Sequence, residues 1–219
     1  MTHVTALFMQ GTITALMPNG RGRVRVYLDG QVGLELAKGL AAALSVGQQL
    51  GSDQVSELQA RDRQESAYRQ ALRLLARRPR SERELQIRLD RMGLAEADQN
   101  EVMGRLREAK LVDDAEFAAA WLENRMAFRP RGAGALRVEL RRKGVPEETI
   151  KSALEGFDEE DAALRAARQG ARKFEHLSPE MFRQRLSAYL VRRGFQYPTI
   201  SPLVEQLAAE RAMESEEST

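Results

Sequence analysis

Two adjacent carboxylates, Asp113-Asp114, open the run "LVDDAEFAAAWLENR" at residues 111–125, which holds the chain's single tryptophan, Trp121, and closes on Asn124-Arg125. Paired acids beside an aromatic ring can ligate a divalent cation, share acid–base work, or cap the start of a helix. A magnesium-dependent nuclease working through Asp113 and Asp114 is the enzyme that this pair allows. Oxygen-ligated metals need several donors, and no matching carboxylate cluster or histidine stands close by in the sequence. Phe117, Trp121 and Leu122 instead form an apolar helical stripe directly after the pair, which suits a capped helix packed inside a domain. Histidine is confined to His3 and His176, and cysteine is absent. Thiolate nucleophiles, thiolate zinc sites and disulfides are therefore excluded, and histidine chemistry is poorly supplied. The expectation is a protein that is not an enzyme, with no catalytic residues, no metal and no cofactor.

Arginine is the other chemical resource: 29 of the 34 basic residues are arginine, whose planar fork suits phosphate and carboxylate partners. "RPRSERELQIRLDRMG" and "FRPRGAGALRVELRRKG" each place Arg-Pro-Arg before a helix with basic residues off its leucine stripe. The glycines of "RGAGA" fit neither GxxxxGK[ST] nor a GxGxxG following a strand, so no phosphate loop is read there. Two readings remain for these arginines: a solvated turn and helix surface, or a basic surface for nucleic-acid phosphates or an acidic protein. The candidate contacts are Arg78, Arg80, Arg83, Arg88, Arg91, Arg129, Arg131, Arg137, Arg141, Arg142, Arg192 and Arg193. Short helices with tight turns also permit a helix-turn-helix DNA regulator. Only Gln86 and Gln184 offer amides for base edges on these basic helices, so sequence-specific readout is not evident.

These residues need elements to position them, and charge follows those elements. Residues 61–93 carry ten arginines against five acids, 125–144 seven bases against one acid, and 181–194 four arginines with no acid. Between them, 95–123 holds eight acids and three bases, and 146–161 seven acids and one lysine. The bands keep step with an internal repeat. Leu85, Leu89 and Gly93 are spaced four and four, as are Leu136, Leu140 and Gly144, and Leu186, Leu190 and Gly194. The leucines give an apolar helical stripe, each glycine is suited to a left-handed helix end, and an apolar residue follows: Leu94, Val145, Phe195. Each unit reads as three helices, near 67–77, 81–92 and 96–109, then 115–127, 134–143 and 147–155, then 158–173, 179–193 and 198–211. Ser81 and Ser178 are candidate caps, with a capping box from Glu84, and Pro146 and Pro202 stand near third-helix starts. Asp113-Asp114 falls where one unit ends and the next begins.

Ahead of the repeats, "GTITAL", "RVRVYL" and the Val32-Leu34-Leu36 alternation predict an antiparallel meander turning at Asp29-Gly30, closed by a short helix in "AKGLAAAL". Ser52 is the candidate cap of a helical stretch whose middle, "ARDRQES", has almost no apolar content and so crosses solvent or breaks. The expected organisation is a β domain over 1–51, a helical linker over 52–66, repeats over 67–111, 112–157 and 158–211, and a disordered acidic tail over 212–219. A fold class of mainly α follows, with repeats stacked into an elongated array. No apolar run nears the roughly 18 residues of a membrane span, and no secretory signal is apparent, so a cytoplasmic protein without membrane contact is expected.

"RPRSERELQIRLDRMG", "LVDDAEFAAAWLENR" and "GALRVELRRKGV", in that order and spacing and followed by "LVRRGFQY", resemble the RecX family over about residues 67–200, and the meander resembles the N-terminal extension of its longer members. The resemblance implies three tandem three-helix units in a curved array and a negative regulator of the RecA recombinase. Its implied partners are RecA and the RecA–DNA filament, with single- or double-stranded DNA as a direct contact in some members. The implied action is to occupy the filament groove and to hinder extension, ATP hydrolysis, strand exchange and stimulated repressor cleavage, so regulating recombination and repair. A monomer is expected.

Overall fold

The structure, a computed structural model, describes residues 10–20 and 22–217; His3 lies outside them. Alternating apolar residues form β1 (Gly11–Pro18), β2 (Arg23–Leu28) and β3 (Gln31–Ala37), followed by the short helix α1 (Lys38–Ala41) and a two-residue β4 (Gln49–Leu50). The sheet is antiparallel with strand order β3-β2-β1-β4. Asp29 and Gly30 both have positive φ, 49° and 84°, as a two-residue hairpin turn of the primed type requires. Ile13, Val26, Leu34 and Leu36 fill its core with Leu50 and Val55. Val32 does not join them. Val26 pairs with Leu34 but Tyr27 with Val32, so Gly33 is an extra residue in β3 and Val32 is turned out, 57% exposed. A Cβ on Gly33 would come 2.7 Å from Leu28, which explains the glycine at the bulge.

The polar stretch after the meander neither breaks nor crosses solvent. It lies within α2, one continuous helix from Ser52 to Leu75, whose N-cap is Gly51 rather than Ser52; Gln54 Oε1 accepts from Gly51 N–H at 2.9 Å. Val55, Ala67 and Ala71 are its buried apolar residues, and Asp62 is buried with them at 8% exposure. Asp62 accepts from the Ala37 backbone N–H at 2.7 Å and from Arg23 Nη2 at 2.9 Å, while Arg23 also donates to Glu35. Desolvation opposes the Arg23 charge, yet the bonds to Asp62 and Glu35 outweigh it and hold its pKa above the ordinary value. A charged residue thus does here what an apolar one does elsewhere on α2: it fixes the helix to the sheet.

The remaining helices are α3 (Glu82–Asp90), α4 (Glu96–Glu108), α5 (Asp114–Phe128), α6 (Ala133–Arg142), α7 (Glu147–Glu155), α8 (Glu159–Phe174), α9 (Pro179–Val191) and α10 (Tyr197–Glu217). With the C-terminal part of α2 they supply three helices to each repeat, giving the mainly α fold with a preceding β-meander. α10 continues past residue 211 into the stretch expected to be disordered, and Pro202 sits one turn inside it rather than at its start. Two compact units emerge. The described residues up to Arg80 join Leu85–Leu111, and Ser81–Glu84 joins Val112 onward. In the second unit, Phe117, Leu122, Leu136, Leu140 and Ile150 make one core, and Ala162, Ala166, Phe182, Leu186, Leu190 and Ile200 another.

Candidate functional site

Each second helix ends alike. Leu85 and Leu89, Leu136 and Leu140, and Leu186 and Leu190 are all buried, and Gly93, Gly144 and Gly194 have φ of 73°, 81° and 88°. Gly144 N–H donates to Arg141 O and Val145 N–H to Leu140 O, and Gly194 and Phe195 repeat the pattern onto Val191 and Leu190. That pairing closes the open carbonyls of a helix end and tucks the following apolar residue beneath it. Val145 and Phe195 are accordingly buried, as is Leu94.

In the second unit this ending has a further role. Ser81 Oγ, which caps Glu84 N–H, donates to Lys143 O at 2.6 Å, and a Cβ on Gly144 would overlap Arg83 Cβ. One repeat later, Gly132 N–H donates to Arg193 O at 3.0 Å, and a Cβ on Gly194 would fall 2.5 Å from Ala135 Cβ. The start of one repeat's second helix therefore seats on the glycine ending of the next, twice over. Glu84 receives Lys143 Nζ at 2.8 Å as part of the first joint.

Asp113 and Asp114 serve two different helix starts. Asp113 is the N-cap of α5, accepting from Ala115 and Glu116 N–H at 2.6 and 3.2 Å. Asp114 instead accepts from Glu82 N–H at 2.9 Å, at the start of α3. The assumption that Asp114 caps its own helix is therefore corrected, and the pair diverges onto separate backbone donors. Trp121 is likewise not simply core. Its Nε1–H donates to Glu139 Oε2 at 2.9 Å, and the Arg125 guanidinium lies 4.3 Å above its ring while donating to the same carboxylate at 2.7 Å. Arg131 Nε forms an ion pair with Glu139 at 3.0 Å without hydrogen-bond alignment. Glu139 is thus a hub that the sequence reading passed over; the available signal was its standing as the lone acid among seven bases in 125–144.

The twelve candidate arginines separate accordingly. Arg131 is committed to Glu139, and Arg193 stacks at 4.1 Å on Tyr189 and donates to its hydroxyl. Arg80 and Arg78 donate to the backbone carbonyls of Leu74 and Pro79. Arg137 and Arg141 share Glu147 in a surface ion pair. Arg83, Arg88, Arg91, Arg129, Arg142 and Arg192 are exposed, and among the described residues they have no ionic or hydrogen-bonded side-chain partner. Three of these, Arg91, Arg142 and Arg192, stand two residues before the three glycines, one per repeat. No described helix is long and apolar enough to cross a membrane.

Comparison with known proteins agrees with this repeat. The first, second and third three-helix domains of RecX match residues 67–106, 113–154 and 158–204. The chain is 30% identical over 193 residues to the regulatory protein RecX of Bacillus licheniformis, covering 86% of this chain and 73% of that protein. It is 38% identical over 159 residues to the regulatory protein RecX of a Mycobacterium species, strain JLS, covering 68% of this chain and 86% of the relative. In fold it is similar to a crystal structure of a regulatory protein RecX, with a TM-score of 0.67, 24% identity, and coverage of 90% of this chain and all of that one. A RecX structure from Lactobacillus salivarius matches 67% of this chain and 97% of its own at a TM-score of 0.58 and 21% identity. The three-helix domains matched in order and these relatives lead to one conclusion: the chain belongs to the RecX family.

Proposed function

We propose that this protein is a negative regulator of a RecA recombinase: it binds the RecA–DNA filament along its groove and restrains filament extension, ATP hydrolysis, strand exchange and stimulated repressor cleavage. It acts by binding, without a catalytic step or cofactor, in the cytoplasm. The observation that carries this reading is the set of arginines left without internal partners, with one at the same place in every repeat. A guanidinium at a helix end gains about 0.3–1 kcal/mol from the helix dipole. That gain explains a base there, but not why Arg141, Lys143 and Arg193 beside them are engaged while Arg142 and Arg192 stay free. Charges presented this way suit an anionic partner with its own repeat, offered by recombinase acids or DNA phosphates.

The test is to add the purified protein to RecA filaments on single-stranded DNA and follow ATP hydrolysis. Suppression at less than one protein per RecA subunit is expected. Unchanged hydrolysis together with tight binding to a preferred duplex sequence would overturn the reading in favour of a helix-turn-helix regulator.

A further inference from the structure

A cavity of about 660 Å³ opens in the second unit among α5, α7 and α8. Leu122, Met126, Ala153 and Phe157 form its apolar floor, with Ala119 and Ala127 along one wall. Its charge is the opposite of the arginine set. On α5, Glu116, Ala119, Glu123 and Met126 follow one helical stripe, and on α7 Glu148, Ser152 and Glu155 follow another. Glu116, Glu123, Glu148 and Glu155 are exposed, and among the described residues none has a side-chain partner. Asp158 adds a further acid to the lining. The lining's one base, Arg165, is held by Asp161 at 2.7 Å. Surface acids left unneutralised beside an open apolar floor raise a repulsion that a cationic occupant relieves.

We propose that this groove is a docking site for a basic amphipathic helical segment of a partner protein. Its apolar anchors would enter beside the Ala119 wall onto the floor of Ala153 and Phe157, and its lysines or arginines would meet Glu116, Glu123, Glu148 and Glu155. A helix of that kind presents anchors at i, i+3, i+4 and i+7, which suits a trough between helices. Opposite charge at the rim sets orientation and association rate, while the floor supplies the desolvated contacts that hold the segment.

The probe is a fluorescein-labelled peptide of about 14 residues with leucines at those spacings and lysines on its other face. Its partner control is a scrambled peptide of the same composition with no apolar face. Binding to the full chain is followed by fluorescence anisotropy and by amide NMR. The amphipathic peptide is expected to bind at least about tenfold more tightly than the scramble, a difference of about 1.4 kcal/mol, and to shift amides of Ala119, Met126, Ala153 and Gly156. Ala119→Arg, at an exposed position on α5, should weaken it about tenfold or more with the unfolding midpoint unchanged, and Glu123→Lys by less. Changing Arg142 to glutamate should leave it unchanged, which separates this site from the arginine set. Equal affinity for the scramble, shifts elsewhere, no binding, or full binding by Ala119→Arg would each overturn the proposal.

Discussion

Gly93 and Gly194 close their helices with nearly the same backbone, φ of 73° and 88°, yet they live in different surroundings. Nothing lies within 4 Å of where a Cβ on Gly93 would stand, whereas one on Gly194 would press on Ala135, and one on Gly144 would overlap Arg83. The same four-residue spacing thus encodes one requirement at the first ending and two at the others. A left-handed turn is a local property; a close approach belongs to the neighbour that makes it. The repeat signature accordingly fixes how each second helix ends, while the joints depend on Ser81, Arg83, Gly132 and Ala135, each of which belongs to a different repeat from the glycine ending it meets.

That difference can be broken by substitution. Gly144→Ala and Gly194→Ala should each cost roughly 2–4 kcal/mol, combining left-handed strain with a clash, whereas Gly93→Ala should cost about 1 kcal/mol from strain alone. Urea denaturation of the three variants measures this directly, and equal losses would remove the joints from the account. Gly132→Ala sharpens the point, because Gly132 has an ordinary φ of −70° and its Cβ would still meet the Gly194 carbonyl. A loss there reports the joint without left-handed strain.

The first unit offers the next effect in size. Asp62→Ala strands the Ala37 N–H and takes from Arg23 one of its two carboxylate partners, and should cost about 2–3 kcal/mol, read as a lower urea midpoint. Asp62→Asn, which keeps an acceptor, should recover part of it. The smallest stability effects concern the aspartate pair. Asp113→Ala and Asp114→Ala should each cost about 1 kcal/mol, the first by loosening α5 and the second by loosening the start of α3. Hydrogen exchange at the Ala115 and Glu116 amides should rise in the first variant, and at the Glu82 amide in the second. A rise at the same amides in both would show that the two acids do not divide their work.

Much of this was legible because it repeats or is local. The leucine–glycine spacing, the Asp29-Gly30 turn and the Phe117-Trp121-Leu122 stripe depend on residues within one or two turns of each other, so type and spacing suffice. What escaped depends on pairings that only the fold makes. Asp62 reads as a solvent-facing acid until Arg23 and Ala37 are brought beside it. Val32 continues a perfect alternation that the Gly33 bulge interrupts, and Glu139 gains meaning only when Trp121, Arg125 and Arg131 converge on it. Among the arginines, sequence supplied the population but not the division: Arg142 and Lys143 are adjacent, yet one is free and the other is spent on Glu84.

The central claim is that these free arginines engage the filament while the fold is held by other contacts. The most direct measurement is ATP hydrolysis by RecA filaments on single-stranded DNA, comparing the natural protein with the Arg91→Glu, Arg142→Glu, Arg192→Glu triple variant. The account predicts an unfolding midpoint close to that of the natural protein and at least a tenfold loss of inhibitory potency, since three exposed contacts change sign. A stably folded triple variant that suppresses hydrolysis as well as the natural protein would contradict it.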